Sequence, residues 1–82
     1  MDEQKIKSKE LALNLLEKLL LENDFDTSKS LMLKVVTMSK QARQLNKPQQ
    51  VIKALDELVK VVKDLTTDEI KELTKIIRTS KL

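Results

Sequence analysis

The chain has 82 residues, 40% of them hydrophobic and 35% charged, with a net charge of +3; this is the composition of one small soluble domain rather than of a disordered chain. It contains no Gly, Cys or His and a single Pro. Disulfides, thiolate metal sites, Gly-rich phosphate loops and Asn-Gly hairpins are therefore excluded, along with the usual general base and zinc ligand.

The first helix is expected from about Asp2 to Glu22. Eight of the eleven residues from Leu11 to Leu21 are apolar. At helical spacing, all of these but Leu21 fall in one arc of roughly 200°. An arc so wide suits a helix held by two or three neighbours, and Ile6 extends it toward the N-terminus. Asn14, Glu17 and Lys18 interrupt the run, which is far shorter than the roughly 20 apolar residues of a membrane span. No basic, apolar leader is visible, because the chain opens with Asp2 and Glu3. The expected location is cytoplasmic, with peripheral membrane association as an added option.

Asn23 to Asp26 breaks the pattern. Asn23 suits the left-handed residue that ends many helices, and Asp26, Thr27 or Ser28 can cap the next one. Phe25, the only aromatic residue, is expected to plug one end of the fold, with an exposed partner anchor as the alternative. The second helix is expected over Ser28 to Leu45, where Leu31, Val35, Met38, Ala42 and Leu45 recur in a heptad-like seam. Asn46 is a stop signal, and Pro48 suits the first turn of a third helix. That helix carries Val51, Leu55, Leu58, Val62 and Leu65 at the same spacing. Both seams read as intramolecular core, with a homodimer through helix two or three as the alternative.

The fourth helix has the sharpest local signature. Thr66 and Glu69 have capping-box spacing, Leu65 and Ile70 that of a hydrophobic staple, and Ile70, Leu73 and Ile77 form an apolar stripe. Connections of about two to five residues imply antiparallel neighbours, so the expected fold is all-α: a single up-down-up-down four-helix bundle over residues 1–82.

No catalytic constellation is found. Ser, Thr and Lys are the only nucleophile candidates, and no His is present to activate a hydroxyl. The chain reads as a non-enzyme without cofactor or metal. Its charge is uneven, however: from Thr27 to Lys47 there are five basic residues and no acid. Four of these, Lys29, Lys40, Arg43 and Lys47, project opposite the second helix's seam within roughly 60° of one another. This basic stripe reads either as a solvated face or as a contact for an anionic membrane surface or acidic partner. No nucleic-acid partner is expected, given the modest net charge, the absence of Tyr and Trp, and no Gly turn for a helix-turn-helix.

The entry to the last helix, Leu65-Thr66-Thr67-Asp68-Glu69 followed by Leu73 and Ile76, resembles that of the immunity proteins of class IIa (pediocin-like) bacteriocins. The leucine run around Leu13, Leu16, Leu19 and Leu20 is similar in placement. The chain differs from that family in its single aromatic and in how little follows its last helix. The resemblance implies a small cytoplasmic antiparallel four-helix bundle of a Gram-positive bacterium, which confers antimicrobial resistance without catalysis. The expected partner is the bacteriocin-bound mannose phosphotransferase permease, whose pore such proteins block from the cytoplasmic side. It also implies contacts through the C-terminal half, here Lys71, Lys75, Arg78 and Lys81; a monomer is favoured by the intramolecular reading of the two seams. The competing reading is a small phage- or plasmid-borne regulator that binds a helical protein partner.

Overall fold

The computed structural model describes the backbone of residues 3–80 and the side chains of residues 7–80. It contains four helices: α1 (Glu3–Glu22), α2 (Ser28–Gln44), α3 (Gln49–Lys63) and α4 (Thr67–Ser80). The described residues include no strand, and the expected all-α four-helix bundle is what the chain forms. The side chain of Ile6 lies outside the described set.

Local chemistry accounts for most of the boundaries. Thr27 is the residue that caps α2, its side chain accepting the Ser30 N–H at 3.2 Å. The cap of α4 is reciprocal: the Glu69 N–H donates to Thr66 Oγ1 at 3.2 Å and the Thr66 N–H to Glu69 Oε1 at 3.0 Å. Leu65 is half-buried and Ile70 buried on the two sides of that cap, where a staple places them. Pro48 precedes α3 as its N-cap, one position earlier than the first-turn role expected of it.

The two asparagine stops behave differently. Asn46 has φ 52°, the only positive φ among the described residues. Its N–H donates to Arg43 O at 3.2 Å, and the Lys47 N–H donates to Ala42 O at 2.9 Å. These two bonds make a Schellman motif, with Asn in the left-handed position that Gly usually holds. Asn23 is not left-handed. It ends α1 by continuing the ladder, with both its N–H and its Nδ2 donating to Leu19 O at 3.0 and 3.2 Å.

The core joins Leu16, Leu19 and Leu20 of α1, Leu31 and Val35 of α2, Leu58 and Val62 of α3, and Ile70 of α4. Phe25 is half-buried against this cluster, as expected of an end plug. The closest packed pairs are α1 with α3 and α2 with α3, followed by α1 with α4. α3 thus packs against both α1 and α2, and α4 packs chiefly against α1. The first turns of α1 and α3 lie side by side, since Lys7 and Ser8 share a cleft with Gln49, Gln50 and Lys53. With α2 running back between them in sequence, the first three helices go up, down and up.

α4 completes the bundle obliquely. At its start, Thr67 Oγ1 accepts the Ser28 N–H of α2 at 3.1 Å. Near its end, Arg78 Nη2 reaches Leu20 O and Asn23 O of α1, both at 3.3 Å. Both ends of α4 are thus held where α1 finishes and α2 begins. The burial of α1 follows from this. Leu13 and Leu20 are seven residues apart and share a face, yet Leu20 is 0% exposed and Leu13 56% exposed, because α4 covers only the C-terminal part of that face. The second seam is also shortened at its end: Leu45 is the C-cap of α2 and is exposed.

Candidate functional site

The residues expected at the C-terminal contact surface do different things. Lys71 and Lys75 are exposed on α4 and make no ion pair among the described residues. Arg78 is engaged within the molecule. Its Nη2 pairs with Asp24 Oδ1 at 2.7 Å while also donating to the two carbonyls at the end of α1. A cation at that position satisfies orphan carbonyls and sits at the negative end of the helix dipole. Arg78 therefore holds α4 across α1. Lys81 lies outside the described residues.

The stripe on α2 divides in the same way. Lys29 and Lys40 are exposed on its outer face, and Lys47 is exposed in the turn beyond its end. Arg43 is drawn off the stripe toward α3. Its Nη2 donates to both carboxylate oxygens of Asp56, at 3.0 and 2.8 Å, and its Nη1 donates to Ser39 Oγ at 2.6 Å. Ser39 is buried, and its hydroxyl also donates to Asp56 Oδ1 at 3.4 Å. Each charged side chain of the pair is about half exposed, so solvent screening keeps its net contribution to stability within about 1 kcal/mol. With Nη2 on the carboxylate and Nη1 on Ser39, the guanidinium ties α2 to α3 at this point.

Sequence reasoning did not find Asp56, Ser39 or Asp24 as partners. Arg43 follows Ser39 by one helical turn, a legible signal for that contact, but nothing in the spacing links either residue to Asp56 on another helix.

No group of three or more acidic side chains among the described residues could hold a metal ion. Every buried side-chain nitrogen and oxygen atom among them has a hydrogen-bond partner. The cleft between the starts of α1 and α3 has a volume of about 310 Å³ and is lined by Lys7, Ser8, Gln49, Gln50 and Lys53. No described helix is long and apolar enough to cross a membrane.

No family model, curated protein or solved structure matches the chain.

Proposed function

We propose that this chain is a non-catalytic immunity protein that protects its producer from a pediocin-like bacteriocin, acting from the cytoplasmic side on the bacteriocin-bound mannose permease. The supporting observation is a four-helix bundle whose last helix, opened by the Thr66–Glu69 cap, turns Lys71 and Lys75 outward without ion pairs among the described residues. Under this reading those two lysines contact the partner. Arg78 acts indirectly by fixing the course of α4.

The test is to express the chain in a Gram-positive strain sensitive to pediocin-like bacteriocins and challenge it with a panel of them. The expected result is survival against one or two toxins while the others remain lethal. The double variant K71E/K75E, checked for unchanged helix content by circular dichroism, is expected to lose that protection. Death under every toxin overturns the proposal and turns attention to a soluble helical partner. Full protection by K71E/K75E overturns the assignment of the contact residues.

A further inference from the structure

The charge of this molecule is sorted unevenly among its helices. From Thr27 to Lys63, the segment forming α2 and α3, there are eight basic and two acidic residues, a net +6. The rest of the chain has eight basic and eleven acidic residues, a net −3. Since α2 and α3 pack against each other, this helix pair forms a strongly basic part of the molecule that the overall +3 conceals. Its two acids are already occupied: Asp56 pairs with Arg43, and Glu57 with Lys60 at 3.7 Å.

The outermost strip of this pair combines charge with exposed hydrocarbon. Lys29, Leu33 and Lys40 share the outer face of α2, and Lys47 follows in the adjoining turn. Leu33, between the lysines, is 69% exposed and has the highest exposure of any large apolar residue described. The neighbouring Thr37 hydroxyl donates to Leu33 O at 2.8 Å, so this polar group is satisfied within the helix. We infer that the outer face of α2 is a docking surface for an anionic phospholipid bilayer, with the lysines at the lipid phosphates and Leu33 entering the acyl boundary.

Two observations favour lipid over nucleic acid. Both arginines of the chain, Arg43 and Arg78, are held in intramolecular ion pairs, which removes the side chains best suited to bidentate phosphate and guanine contacts. The exposed leucine at the centre of the strip has an apolar phase to enter at a bilayer and none at a duplex backbone. The inference does not rest on the immunity reading. A protective chain that ignores lipid overturns only this proposal, and a lipid-binding chain that protects against nothing overturns only the other.

The experiment is vesicle co-sedimentation of the full chain with phosphatidylglycerol/phosphatidylcholine vesicles, with pure phosphatidylcholine vesicles for comparison. The chain is expected to partition onto the anionic vesicles at low salt and to leave them near 1 M salt, where the screening length falls to about 3 Å. K29Q/K40Q should weaken partitioning roughly fivefold per lysine removed. L33S should weaken it as well, and K71Q/K75Q, on α4 and outside this strip, should leave it unchanged. No partitioning at low salt, equal binding to neutral vesicles, or indifference to both K29Q/K40Q and L33S would overturn the proposal. So would tighter, stripe-dependent binding to duplex DNA in the same buffer.

Discussion

Asn46 carries a conformational demand that a glycine-free chain has few ways to meet. A left-handed backbone costs an ordinary L-residue roughly 1–2 kcal/mol, and Asn is the residue other than Gly that tolerates it best. Asn46→Ala is therefore expected to lower stability by about 1 kcal/mol, and Asn46→Gly to leave it within about 1 kcal/mol of the parent. Urea denaturation of the two variants measures this; an alanine variant as stable as the parent would show that the Schellman turn is not formed. Thr66 makes a comparable demand at the other kind of helix end. Removing its hydroxyl in Thr66→Ala orphans the Glu69 N–H and should cost about 1 kcal/mol by the same measurement.

At the scale of elements, the informative feature is the oblique course of α4. It has one fully buried side chain, Ile70, with Leu73 and Ile77 half-buried beside it, and it is tied at its ends by Thr67 to Ser28 and by Arg78 to the end of α1. Two leucines on one face of α1 report on this arrangement. Leu20→Ala should cost about 2–5 kcal/mol, because it removes a fully buried side chain from beneath α4. Leu13→Ala should stay within about 0.5 kcal/mol, because its side is open to solvent. Equal costs in chemical denaturation would place α4 along the whole of α1 instead.

At the scale of the molecule, most of the two heptad seams is taken into the fold, with Leu45 left exposed. Leu31 and Val35 of one and Leu55, Leu58 and Val62 of the other are buried in a single chain. Among the described residues the exposed large apolar side chains, Leu13, Leu33, Leu45 and Ile76, are dispersed over α1, α2 and its C-cap, and α4. The chain is accordingly expected to sediment as a monomer at equilibrium. A concentration-dependent dimer would mean that another surface self-associates.

What the sequence determined by itself was most of what neighbours within about two helical turns govern. The four helices, the Thr66–Glu69 cap, the stop at Asn46 and the inward faces of the helices follow from local residue types and spacings of three, four and seven residues. The choice of Thr27 among three candidate caps and the left-handed turn at Asn46 rather than Asn23 came from the structure. The tertiary structure alone decided which parts of those faces are covered and which charges are already engaged. Periodicity treats Leu13 and Leu20 as equivalent, and only the crossing of α4 separates them. It likewise counts Arg43 and Arg78 as free surface cations, whereas Asp56, 13 residues away, and the carbonyl of Leu20, 58 residues away, bind them. Contacts between helices depend on where each helix lies in space, and a repeat of 3.6 residues holds no information about a partner so distant in the chain.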